Sequence, residues 1–185
     1  MEALKMRISD EKLKEEWVDG IYNMSPAASP KHNQILNELT ILIGNYLKGK
    51  KCKMFRENID LILADPRELS VMRLKEAEKE TKVRPDLLVF CQNVYTISGN
   101  NIVGIPDFFF EVLSPGSMKW DMVVKKEKYL SAGVQEYWII DPLNDEVLVF
   151  CNGTEITYSF DDTVKVQSLN DFEINFPEVM SEIVF

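Results

Sequence analysis

A chain of 185 residues with 45% hydrophobic content, eight glycines and eight prolines has apolar material for a sizeable core, which excludes a disordered or low-complexity protein. Its apolar runs are too short for a membrane-spanning helix, and Met1 to Arg7 lacks the apolar centre of a signal peptide. The net charge of -9 argues against a general polyanion binder, but it is uneven: residues 136–185 hold eleven acids and one base, residues 1–135 nineteen acids and twenty bases. Within the first part Lys48, Lys50, Lys51, Lys53 and Arg56 form one basic run, and Lys119, Lys125, Lys126 and Lys128 another. Each is either a solvated face or a patch open to a polyanion. Cys52, Cys91 and Cys151 are odd in number and widely spaced, fitting neither a disulfide framework nor a zinc site; a reducing cytoplasm is the default expectation.

Residues 7–16 are polar and helix-compatible, and Asp19-Gly20 between short apolar segments predicts a hairpin. Ser29-Pro30 is a helix start, and His32, Ile35, Leu36, Leu39, Leu42, Ile43, Tyr46 and Leu47 keep the spacing of an amphipathic helix that Gly49 ends. Lys53 to Leu63 reads as one strand, 67–82 as a charged insertion, Arg84 to Phe90 as a strand buried on both faces, and Gln92 to Gly104 as a turn-rich excursion. Asp107 to Leu113 is the next strand. A helix follows from about Trp120 to Ala132, then a strand at Glu136 to Ile140. An antiparallel meander through Val147–Phe150 and Ile156–Phe160 comes next, with short strands at Val164–Val166 and Phe172–Ile174 and a short helix opened by Pro177. This is an α/β core with mixed pairing, spread over a single domain of residues 1–185.

Three charged residues stand out. Glu111 interrupts the apolar run Phe108 to Leu113, and a carboxylate buried there requires a compensating cation, either a metal or a basic side chain. Asp86 heads the run Leu87 to Phe90 on a strand expected to pair with that of Glu111; two carboxylates brought together repel unless a cation lies between them or one is protonated. Two acids, a backbone carbonyl and waters make an oxygen set that magnesium accepts. Lys125 lies one helical turn after Asp121 and one before Tyr129, bordering an apolar side formed by Met122, Val123 and Leu130. It is either a snorkelling lysine or one aimed at the acids. His32, the sole histidine, is structural or catalytic, and Glu38 lies on the flank of the same helix.

Pro85-Asp86, the block Glu111-Val112-Leu113-Ser114-Pro115, the Asp121, Lys125 and Tyr129 spacing, and Gly133 to Pro142 together resemble the Uma-two family. These are bacterial restriction-endonuclease-like proteins of the PD-(D/E)XK nuclease superfamily. Val18-Asp19-Gly20, Met24-Ser25-Pro26 and His32 are similar to its N-terminal half, so the likeness runs from about residue 15 to 150, before the acidic strands of 151–185. The resemblance implies a helix–three strands–helix–strand core with an added N-terminal hairpin and C-terminal meander. It implies Asp86 and Glu111 as ligands of Mg2+ (or Mn2+), with the Val112 backbone carbonyl as a third. The superfamily lysine two positions after the second acid is replaced here by Leu113, and Lys125 occupies the place to which the family moves it. His32 matches a recurrent family histidine. The implied function is a Mg-dependent endonuclease cutting nucleic acid, most simply DNA, as a homodimer. The competing expectation is a catalytically silent dimeric binding or regulatory module that keeps the nuclease fold.

Overall fold

The computed structural model describes residues 14–25, 28–56, 59–67, 81–116, 118, 120–170 and 172–184. The polar stretch 7–13, the 68–80 part of the charged insertion, and Lys119 lie outside the described residues.

A hairpin opens the described chain: β1 (Lys14–Val18) pairs with β2 (Ile21–Ser25) around Asp19 and Gly20, both at positive φ, as a two-residue turn matched to strand twist requires. Helix α1 (Pro30–Leu47) starts where Ser29 Oγ accepts the His32 amide and Pro30 takes a position whose N–H needs no partner. It buries Ile35, Leu36, Leu39, Ile43 and Leu47 along one stripe.

The chain then builds a central sheet from β3 (Lys53–Arg56), β6 (Leu87–Phe90), β9 (Phe108–Val112), β10 (Glu136–Asp141), β11 (Glu146–Cys151) and β12 (Thr154–Ser159). The spatial order is β12-β11-β10-β9-β6-β3, with β9 and β10 parallel and every other pair antiparallel. The β9–β10 crossover carries a π-helical segment, Trp120–Lys125, running into α2 (Lys126–Ser131). Helix, three strands, helix, strand is therefore the order in which the central sheet is laid down.

One face of this sheet takes α1. The C-terminal hairpin β13 (Thr163–Val166) and β14 (Phe172–Asn175), with helix α3 (Phe176–Ser181), belongs to the same core: Val164, Val166, Leu169, Ile174, Phe176 and Val179 are buried in one cluster with the α1 stripe. Tyr46 stacks on Phe172 at 4.1 Å and donates to the Leu169 carbonyl at 2.5 Å. The acidic C-terminal segment is thus built into the core and is no detachable arm.

The other face takes a second sheet, β2-β1-β5-β4-β8-β7, whose remaining strands are β4 (Asp60–Ile62), β5 (Thr81–Val83), β7 (Tyr95–Ser98) and β8 (Asn101–Gly104). Val18, Leu61, Val83 and Ile102 from this sheet share a core with Leu88, Phe109, Leu113, Tyr137 and Ile139 from the central one. Gly104 permits the approach: a Cβ there would lie 2.9 Å from both Phe90 and Tyr95.

Several sequence expectations change; Lys14 to Glu16, in the stretch read as helix-compatible, belong to strand β1, and Thr81 and Lys82, at the end of the charged insertion, to strand β5. Lys53 to Leu63 is two strands in different sheets, because Leu61 turns into the second core while β3 stays on the edge of the first. The excursion at 92–104 is the ordered hairpin β7–β8. On the helix, Val123 and Leu130 of the expected apolar side are 55% and 41% exposed while Met122 packs against the core, and Asp121, Lys125 and Tyr129 are buried. Finally, Cys52 and Cys91 form a disulfide. The antiparallel register Lys53↔Phe90 sets the two cysteines opposite one another, with Cα atoms 4.1 Å apart, which a sequence separation of 39 conceals.

Candidate active site

The site lies where the two sheets and the π-helical segment meet. In the β6–β9 register Leu87 pairs with Phe110, so Asp86, one step before Leu87, and Glu111, one step after Phe110, end up across from each other. Both are buried. Asp86 Oδ2 accepts the Val112 amide at 2.8 Å, which ties the first acid to the strand of the second. The same oxygen accepts from His32 Nε2 at 3.0 Å, because the cap at Ser29 places His32 in the first turn of α1 above the sheet end. His32 therefore braces Asp86.

Lys125 reaches back to the strand. Its Nζ lies 2.5 Å from Glu111 Oε1, 3.0 Å from Asp121 Oδ1 and 3.0 Å from Glu16 Oε1. Asp121 precedes Lys125 by four residues, yet the segment between them winds as a π-helix, a form common at functional sites. Tyr129, a turn further on, donates to Glu111 Oε1 at 3.2 Å. The stripe Asp121, Lys125, Tyr129 thus points as a unit at Glu111.

Glu16 is the site residue the sequence reading missed. It sits on β1 and its Oε1 also accepts the Arg84 amide at 2.8 Å, just ahead of Asp86. The signal available in the sequence was the pleat alone: Glu16 shares with Val18 the face of β1 that turns inward.

Burial by itself would strip the proton from Lys125, but the fields of Asp121, Glu111 and Glu16 outweigh it and hold the ammonium well above its ordinary value of 10.5. Tyr129 is pushed well above 10.0 by burial, with Glu111 and Glu16 acting in the same direction against Lys125. Tyr137, on β10, is raised well above 10.0 by burial and then by Glu111 and Asp121. Its Oη is fully enclosed and has no hydrogen-bond partner among the described residues.

Among the described residues no three His, Cys, Asp or Glu side chains are arranged to hold a metal. The hard-oxygen donors on offer are Asp86 and Glu111, with backbone and tyrosine oxygens around them. Asp107, the other acid beside a proline, serves structure: its Oδ2 accepts the amides of Cys91, Gln92 and Asn93 and caps the turn after β6.

The fold is that of a restriction-endonuclease-like α/β protein. The chain belongs to the Uma2 family, described as "Putative restriction endonuclease", whose model matches residues 2–177. It is also similar in fold to the crystal structure of a "putative nuclease belonging to DUF820" from Anabaena variabilis ATCC 29413. The TM-score is 0.72 at 20% identity, covering 92% of this chain and 91% of that one. No curated protein matches the chain.

Proposed function

We propose that the chain is a metal-dependent endonuclease that hydrolyses phosphodiester bonds in DNA, working as a homodimer with one site per chain. The observation that carries this reading is the convergence of Asp86 and Glu111 across the β6–β9 register with the Lys125 ammonium 2.5 Å from Glu111. Asp86, Glu111 and the Val112 carbonyl would hold Mg2+ or Mn2+. When bound, such an ion supplies Lewis-acid polarisation of the phosphate and lowers the pKa of a coordinated water.

The protein's own residues do the rest. His32 and the Val112 amide fix the Asp86 carboxylate, so that its orientation costs no reorganisation during the reaction. Lys125 is held protonated by its three acids; it orients the attacking water and offsets negative charge gathering on the phosphorus. Tyr137 Oη, enclosed and within the field of Glu111, offers a hydroxyl to a ligand oxygen.

The test is cleavage of DNA by pure protein with and without magnesium, beside Asp86→Asn and Lys125→Ala. Magnesium-stimulated cutting lost in both variants is the expected result. Wild type no more active than Lys125→Ala on any DNA or RNA form sinks the nuclease reading.

One observation favours the second reading, a catalytically silent binding module that keeps the fold. Lys125 is wholly enclosed and engaged by three carboxylates, as a structural ion cluster would be. Calorimetric titration with magnesium separates the two. No binding, or binding indifferent to Asp86→Asn, selects the silent module.

A further inference from the structure

The chain carries more acids than bases, thirty against twenty-one, so a lysine meets a carboxylate easily. Outside the first basic run, each lysine whose side chain is described lies against one: Lys31 by Asp145, Lys82 by Asp60, Lys125 in its cluster, Lys126 by Glu155, Lys128 by Asp19 and Lys165 by Glu173. The run that joins α1 to β3 departs from this pattern. Lys48, Lys51 and Lys53 are exposed and form no ion pair among the described residues, while Lys50 lies over the Tyr46 ring at 3.0 Å. Without an ion partner among the described residues, they keep a local positive potential at that edge of an acidic protein.

The geometry of the run is fixed. Lys48 caps α1, Gly49 turns the chain at φ +80, and the Cys52–Cys91 disulfide fastens the loop to β6. From there β3 runs along the outer edge of the central sheet, with Lys53 opposite Phe90 and Arg56 opposite Leu87. Asp86 is one step beyond Leu87, so the edge leads from Lys53, the nearest of these lysines, to the level of the candidate site over four residues, roughly 13 Å at strand rise. That is a few backbone phosphates of a duplex.

We infer that Lys48, Lys51 and Lys53, on the disulfide-fastened edge of the central sheet, bind the phosphate backbone of nucleic acid and guide it toward Asp86. The ligand is recognised by charge and spacing and not by base sequence. This deepens the nuclease reading and rests on it for the direction of the track.

The test measures affinity for a short labelled duplex DNA in EDTA, where no cleavage occurs, across a salt series. Compared with wild type are the triple variant Lys48→Ala/Lys51→Ala/Lys53→Ala and a control with the same charge loss at paired lysines, Lys31→Ala/Lys128→Ala/Lys165→Ala. The edge variant is expected to bind on the order of a hundredfold more weakly at roughly 0.15 M salt, with the log–log salt slope smaller by about 2.7. The control is expected to stay near wild type, and all three proteins to melt as cooperatively as one another. An edge variant that binds like wild type, a control that loses as much, or a wild type without measurable affinity overturns the inference. Edge-dependent binding by a wild type that never cleaves DNA upholds it while the nuclease reading falls.

Discussion

The Lys125 ammonium lies 2.5 Å from Glu111 Oε1 across the junction between helix and central sheet, and Glu16 and Asp121 complete its surroundings. Removing the cation leaves three buried carboxylates facing one another. Lys125→Met is therefore expected to lower unfolding stability by about 3–5 kcal/mol, the usual range when one partner of a buried ionic cluster is deleted. The same change frees negative charge beside Glu111, so magnesium should raise the variant's melting temperature more than that of wild type. Thermal melts with and without magnesium check both parts. A variant as stable as wild type, or one that magnesium does not stabilise further, means that Lys125 does not balance these acids.

The enclosed hydroxyl of Tyr137 yields the opposite pairing of effects. An unpartnered buried hydroxyl costs about 1–3 kcal/mol, so Tyr137→Phe should be neutral or stabilising in metal-free buffer. If that hydroxyl serves a ligand oxygen in the site, the variant should also bind magnesium less tightly and cleave more slowly. Increased stability with reduced activity separates a functional hydroxyl from a packing defect. Unaltered magnesium titration and cleavage assign Tyr137 to the core alone.

How far the sequence disclosed this site depended on the range of each signal. The Ser29–His32 cap and the Asp19-Gly20 turn are local, and both are present where the residues predict them. Glu111 was conspicuous as a carboxylate inside an apolar run, and Asp86 as one heading another. Glu16 was not: it sits in a polar stretch next to Glu15, and its partners Arg84 and Lys125 lie far along the chain. The facing of the helix was misread for a related reason. Apolar residues ordinarily mark the inner side, but here the charge cluster decides, and Val123 and Leu130 are left outside. The disulfide was hidden because it follows from the β3–β6 register, which no short window contains.

Alkaline pH should unfold the protein through several groups acting together. Lys125, Tyr129 and Tyr137 all hold their protons more tightly folded than unfolded, and burial, then Glu136, raises Cys151 from 9.0 to about 11. Raised groups contribute fully below their unfolded values and lose that contribution as pH climbs through the folded ones. Stability is therefore expected to be flat up to about pH 9 with respect to these groups. It then falls, first through Cys151 between about 9 and 11, and from about 10 through the tyrosines and Lys125. Cys151→Ala should move the onset of the fall upward toward pH 10. Melting temperatures measured across pH 7 to 11 decide it, and an onset unmoved by the substitution removes Cys151 from the account.

The disulfide makes the last prediction, and it bears on the basic edge directly. Closing a loop between Cys52 and Cys91 restricts the unfolded chain by an amount that chain-entropy arguments put at about 4 kcal/mol for a separation of 39. Cys151 is the free cysteine, and it is buried. Unfolded without reductant, the protein should take up one equivalent of thiol reagent by mass spectrometry; after reduction it should take up three. Cys52→Ser should lower stability by about 2–4 kcal/mol, and a reducing agent should bring wild type down to the level of that variant without affecting the variant itself. Loss of the bridge also leaves the Lys48–Lys53 turn held to β6 only through the β3–β6 pairing, so DNA affinity in EDTA should drop on reduction even at temperatures where the fold persists. If three thiols react before reduction, the cysteines are unpaired and the edge is held by its backbone pairing alone.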